Sequence, residues 1–235
     1  MNNKILVLNG SSYATPFKGL GEIVIDIDVF LENPGDFKLV MFTGGEDVTP
    51  SWYGETSPNH VCYYNERRDK EEAIVFKLAE RRGIPMMGIC RGIQFLNVMH
   101  GGKIFHNVTN HAGPRHMMTL GNGEEFVVNS FHHQMVIPPE DSIVIAYSST
   151  RKSTSYIGDK DLEVSPPNVE VEAVAYPNTK SVAVQYHPEM MDTTSKGFLW
   201  FRELATTLLT EEGFAEIIEK YSSVNKCLKQ STHQL

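Results

Sequence analysis

The stretch IPMMGICRGIQFLNVMHGGK, residues Ile84 to Lys103, reads as a buried strand that turns sharply into a helix with Cys90 at the bend. Ile84 to Ile89 is apolar and opened by Pro85, while Ile93, Leu96 and Asn97 recur at helical spacing until Gly101 and Gly102 stop the helix. Gly88 and Gly92 flank the cysteine two residues to either side. A side chain pushed out of a tight strand-to-helix turn needs neighbours without a Cβ, so that adjacent backbone can close in. The thiol would then face the N–H groups and partial positive charge of a helix N-terminus, which favour thiolate, the nucleophilic form. The alternative for Cys90 is a small buried hydrophobe, as most free cysteines are.

A second stretch, SVAVQYHPE, bears on that choice. It alternates from Ser181 and ends in His187, Pro188 and Glu189. In an extended chain His187 and Glu189 fall on one face, and a residue preceding proline is held extended. Glu189 is therefore expected to orient His187, which would serve Cys90 as its base, the division of labour of nucleophile, base and orienter sets.

GICRGIQFLN with a distant VQYHPE resembles the class I glutamine amidotransferase superfamily. TGGEDVTPSWYGE, the Arg68-Asp69 pair opening the next helix, and VNSFHHQMV add a closer resemblance to its γ-glutamyl-γ-aminobutyrate hydrolase branch, peptidase family C26, in that family's order along the chain. The similarity runs from about Val40 to Glu189. It implies an α/β fold of the flavodoxin-like, three-layer sandwich kind, with a central, mostly parallel sheet and antiparallel edge strands. It also implies a catalytic triad of Cys90, His187 and Glu189, and an oxyanion hole formed by the backbone N–H groups of Gly45 and Arg91. Gly44, Gln94, His132 and His133 would meet the substrate, a small γ-glutamyl compound, and no cofactor is required. For each of these a plainer role stands beside the implied one: Gly44 and Gly45 as a strand-ending turn, Gln94 as a polar surface residue, and the two histidines as surface residues.

Composition narrows the class. A chain of 235 residues suits one domain, here 1–235, with the tail at about 222–235 set apart as polar. Lys plus Arg number 21 against 29 Asp plus Glu, a formal charge of −8, which argues against a nucleic-acid partner. The run Ile5 to Leu8 is too short for a signal-peptide core, and no stretch is long enough to span a membrane, so a cytoplasmic protein is expected. The three cysteines, Cys62, Cys90 and Cys227, are scattered and suggest neither disulfides nor a zinc site. Six of the nine histidines fall between His100 and His133, but at no spacing that converges locally on one ion, so no metal is expected.

Taken in order, Lys4 to Leu8, Glu22 to Ile27 and Lys38 to Thr43 read as core strands. Only a Gly- and Ser-rich connection joins the first two, where the family places a full helix, so a trimmed N-terminal edge is expected, exposed or available to a partner. Gly19 and Gly21 form a lone GxG with no helix after it, which is no dinucleotide signature. Asp47, Trp52 and Tyr53 belong to a loop that either shapes the mouth of the site or stabilises itself. Asp69 with Glu72 reads as a capping box for a helix over Lys70 to Arg82, with Ile74, Val75, Leu78 and Ala79 toward the core. Strands follow at Glu125 to Ser130, Ser142 to Tyr147, and as a hairpin at Val171 to Tyr176 and Ser181 to Tyr186. Ser148 to Asn168 is a surface excursion between them, and helices over Lys196 to Leu209 and Glu211 to Tyr221 close the chain.

Three readings of function result: a self-contained hydrolase of γ-glutamyl amides, a glutaminase that hands ammonia to a partner synthetase, and a non-catalytic binding module on the same fold. A homodimer is compatible with each.

Overall fold

The computed structural model describes residues 3–113 and 115–222. The polar tail and Cys227 lie outside the described residues. The architecture follows from strands that are apolar on both faces. In β1 (Lys4–Val7) Ile5 packs to one side and Leu6 to the other, and in β3 (Phe37–Phe42) Leu39 and Met41 oppose Val40 and Phe42. A strand with two buried faces needs a layer on each. One layer is α2 (Glu66–Arg82) and α3 (Arg91–Met99), with the short α1 (Ile27–Glu32); the other is α4 (Lys196–Leu208) and α5 (Gly213–Tyr221).

The central sheet has nine strands. Beginning at one edge, β2 (Glu22–Val24), β1, β3, β4 (Met86–Ile89) and β13 (Ser181–Val184) are all parallel. The order continues antiparallel through β12 (Val171–Tyr176), β10 (Ile143–Ser148), β7 (His116–Leu120) and β8 (Glu125–Val128). Two small ribbons pair β5 (Lys103–Phe105) with β9 (Met135–Ile137) and β6 (Asn107–Val108) with β11 (Tyr156–Ile157). The expected α/β sandwich is thus the observed one.

Several local expectations are corrected. The second strand stops at Val24 because Asp26 caps a helix, its carboxylate accepting from Asp28 N–H. The connection between β1 and β2 contains no α-helix, but it does not leave the sheet bare: a 3-10 turn over Ser11–Phe17 buries Phe17 against Phe201, and Pro16 accepts from Arg202. The helix expected to start at Lys70 begins one turn earlier, capped by Asn65, whose side chain accepts from Arg68 N–H. Asp69 is therefore no cap but a fully buried carboxylate. The buried face of α2 runs through Asp69, Glu72, Ala73 and Phe76, which leaves Ile74 outward, 56% exposed, while Val75 and Ala79 face the core. The Ser148 to Asn168 excursion is laced to the loop after β3: Asp159 accepts from Thr56 N–H, and Asp161 from Ser57 and Asn59. No helix among the described residues is long and apolar enough to cross a membrane.

Backbone packs closely under the elbow. A Cβ on Gly92 would sit 2.1 Å from the Phe42 carbonyl oxygen, and one on Gly88 would sit 2.5 Å from the Gly92 carbonyl carbon. Both contacts are with backbone, which cannot rotate away. Gly92→Ala is expected to destabilise the protein by about 1–3 kcal/mol or more, read as a lowered Tm in thermal unfolding; an unchanged Tm would show that α3 can shift off β3.

Candidate active site

Cys90 links β4 to α3 with φ 53° and ψ −106°, a conformation a side chain adopts only under constraint. The constraint comes from both sides: Cys90 N–H donates to the Val184 carbonyl of β13, and its own carbonyl accepts from Ile93 N–H in α3. The neighbouring strand delivers the imidazole. Val184 is in register with Ile89, so the chains leaving the two strands run on side by side to Cys90 and His187.

His187 Nδ1 lies 2.7 Å from Glu189 Oε1, and Cys90 is near enough to help raise the imidazole. The acid does not reach the base along an extended strand, as the spacing suggested; it arrives through a 3-10 turn over Pro188–Met190. Burial disfavours the charged ring, but hydrogen bonds and charge from Cys90 and Glu189 outweigh it and push His187 up to about 10. Asn129 fixes the backbone of this residue from both directions, its amide donating to the His187 carbonyl and accepting from the His187 N–H, each at 2.8 Å. The rings of Tyr13 and Phe131 stand 6.3 and 6.0 Å from the imidazole. Burial, then the charges of Glu189 and Cys90, push the Tyr13 hydroxyl up to about 12, so it stays neutral.

Cys90 opens on a cavity of about 180 Å³ lined by Gly45, Glu46, Asp47, Tyr63, Gln94, Phe131, His132 and His133. The implied substrate residues Gln94, His132 and His133 thus share one space with the thiol. Gln94 and His132 are buried walls rather than surface groups, and burial, reinforced by the nearby His111, holds His132 well below the ordinary histidine range. His133 is raised by its contact with Asp47, 3.1 Å away. Asp47 also accepts from Tyr63 N–H, so it both lines the cavity and ties down its loop. Trp52 and Tyr53 instead pack into the apolar layer around α2 and α3. Gly44 touches the site from below, where a Cβ would meet the Tyr13 hydroxyl at 2.5 Å.

The Arg68-Asp69 pair acts beneath the site. Arg68 donates to the Thr43 and Gly44 carbonyls and pairs with Glu72. Arg91, immediately after the cysteine, sends its buried guanidinium to Asp69 and Glu72, and Asp69 also accepts from Thr49. Sequence reasoning does not reach Tyr13, Asn129 or the buried role of Glu72, because each has partners tens of residues away. A tyrosine in a short turn after the first strand carries no local signature.

Comparison with solved structures supports the class that this fold defines. A GMP synthase-type protein from Thermoplasma acidophilum superposes with TM-score 0.60 at 18% identity, over 96% of this chain and 98% of its own. A glutamine amidotransferase from Thermotoga maritima gives 0.55 at 16%, over 98% and 90%. The peptidase C26 family model matches residues 35–189, and the chain belongs to that family, within the class I glutamine amidotransferase superfamily. Among relatives, the glutamine amidotransferase-like protein YvdE of Lactococcus lactis is 29% identical over 76% of this chain and 79% of its own. The glutamine-hydrolyzing GMP synthase of Francisella tularensis is 28% identical over 82% of this chain but 34% of its own length.

Glu189→Gln removes the charge of one of the two partners, Glu189 and Cys90, that raise His187. The imidazole, followed by NMR, is expected to titrate near pH 10 in the parent and markedly closer to pH 6.5 in the variant; coincident curves would place the cause elsewhere.

Proposed function

We propose that the chain hydrolyses the γ-glutamyl amide bond of glutamine or of γ-glutamyl amines through a thioester on Cys90, releasing glutamate and ammonia or an amine. The observation that carries this reading is the imidazole of His187, held by Glu189 and set beside Cys90, whose thiol opens on a cavity of about 180 Å³. Family membership supports hydrolysis of an amide bond.

With the proton of the pair already on His187, Cys90 Sγ attacks the side-chain amide carbon. Negative charge then develops on the amide oxygen, which backbone N–H groups of Gly45 and Arg91 would hold. The first N–H groups of a helix have no intrahelical acceptor, so the Arg91 amide has a donor to offer. His187, protonated up to about pH 10, passes its proton to the departing nitrogen as the C–N bond breaks. Water then enters, His187 takes its proton, and the resulting hydroxide attacks the thioester carbon; the C–S bond breaks and glutamate leaves. Glu189 keeps the ring in the one tautomer that serves both steps. Gln94, His132 and His133 would contact the glutamyl end, with Gly44 supporting the floor, and no cofactor takes part.

A second reading, supported by the likeness to glutamine-hydrolyzing GMP synthase and by the superposition on PurLQS of Thermotoga maritima at TM-score 0.54 and 16% identity, is a glutaminase that supplies ammonia to a synthetase. The two differ in autonomy. The purified chain alone is expected to release glutamate from a panel of γ-glutamyl amines; release only from glutamine, and only on addition of a synthetase, would favour the second reading. Cys90→Ala is expected to lower turnover by on the order of 10⁴-fold or more and to abolish labelling by a glutamine-like electrophile. Equal labelling of the variant would refute the nucleophile, and an unreactive parent would leave a binding module.

A further inference from the structure

Behind His132, on the far side of the cavity wall, lies a group of buried polar side chains that hydrolysis does not use. His111 precedes β7, His132 follows β8, and Glu172 lies on β12, so three separate segments meet there. Each residue offers one ligand atom, and these atoms lie within 4.8 Å of one another. The residues are 0%, 3% and 0% exposed respectively.

The proton on His132 is placed by its hydrogen bond, and His111 is oriented by a neighbouring carboxylate. His132 Nδ1 is 2.8 Å from the Gln134 carbonyl oxygen, which can only accept, so Nδ1 carries the hydrogen and Nε2 a lone pair. That Nε2 is buried without a hydrogen-bond partner among the described residues. His111 Nε2 lies 3.2 Å from Glu170 Oε2, a carboxylate anchored by the Lys152 and Ser153 N–H groups and the Tyr156 hydroxyl. Its Nδ1 is left facing Glu172 Oε1 at 3.8 Å. Ser130 Oγ is 3.5 Å from that nitrogen but donates its proton to the His111 carbonyl. Glu172 has a close ion-pair partner, His116 Nε2 at 2.8 Å from Oε1, yet neither carboxylate oxygen has a partner aligned for a hydrogen bond among the described residues.

A fully buried carboxylate and two imidazole lone pairs turned to one space are costly in isolation, each by a few kcal/mol. A cation between them relieves all three at once. The outer groups match this use, since an imidazole that binds a metal through one nitrogen is oriented by a carbonyl or carboxylate on the other. Two nitrogens and one carboxylate suit a divalent transition ion of the zinc type, whereas calcium and magnesium take oxygen ligands.

We propose that His111, His132 and Glu172 bind one divalent transition-metal ion, which ties β12 to the loops before β7 and after β8 and so fixes the rear wall of the substrate cavity. His116 then holds the Glu172 carboxylate in place through its contact with Oε1.

The test uses the full chain carrying Cys90→Ser, which prevents metal capture by the active-site thiol and makes the result independent of the hydrolase reading. After treatment with a chelator and equilibrium dialysis against Zn²⁺, one equivalent is expected to be retained. Glu172→Gln and His111→Gln should each weaken retention by more than about 100-fold, with folding checked by circular dichroism. Should either variant fail to fold, the Co²⁺ form of the Cys90→Ser chain decides, with two hyperfine-shifted imidazole N–H resonances expected, from His111 and His132. No retention, retention unchanged in folded variants, or a Co²⁺ form without those resonances overturns the proposal.

Discussion

Arg68, Asp69, Glu72 and Arg91 form a nearly solvent-free ionic group on which the geometry of the site depends. Two cations face two carboxylates, so the group is neutral as a whole, and its exposed margin is the contact between Arg68 and Glu46. Buried ion pairs are weak contributors to net stability, but removal of a single member leaves a charge with nowhere to go. Their value here is positional. Arg68 holds the carbonyl of Gly44, Arg91 follows Cys90 directly, and both arginines meet Glu72. One helix turn of α2 thereby fixes the separation between the loop after β3 and the first residue of α3, the two backbone segments that face each other across the thiol.

The elbow depends on that support. A cysteine at positive φ is strained, and two glycines pressed against neighbouring backbone leave α3 no room to relax the strain by tilting. Close packing beneath and ionic clamping beside the bend give the same result by different means: the sulfur is held out of the sheet toward His187. On the opposite side, Asn129 grips both backbone polar groups of His187, so the imidazole is positioned through its main chain as well as through Glu189.

The legible parts of this chain are those whose meaning is local. The bend around Cys90 can be read because the apolar run, the flanking glycines and the helical spacing lie within twenty residues, and the pairing of His187 with Glu189 because they are two residues apart. Asp69 reads wrongly as a cap for the complementary reason: the sequence offers a carboxylate before a helix, and only the fold brings Arg91 against it. Ile74 turns outward because the buried face of α2 is centred on Asp69, Glu72, Ala73 and Phe76, and polar members of a buried face do not show in an apolar stripe. The short α1 rests on one capping aspartate and the burial of Phe30, too little pattern to register. The strand His116–Leu120 is hidden because histidine and two methionines outnumber its single β-branched residue, Thr119, and His111, His132 and Glu172 meet through sheet order, which no spacing rule encodes.

The neighbours β4 and β13 are adjacent in space but lie at opposite ends of a long intervening chain, and β13 enters the sheet only as the return arm of a hairpin with β12. During synthesis, then, the segment bearing the sulfur leaves the ribosome well ahead of the imidazole that is to sit beside it. Loop closure over that distance is a late and entropically expensive event. The nascent chain consequently carries Cys90 without its neighbour, and Cys90 and His187 come together only when the last parallel strand docks.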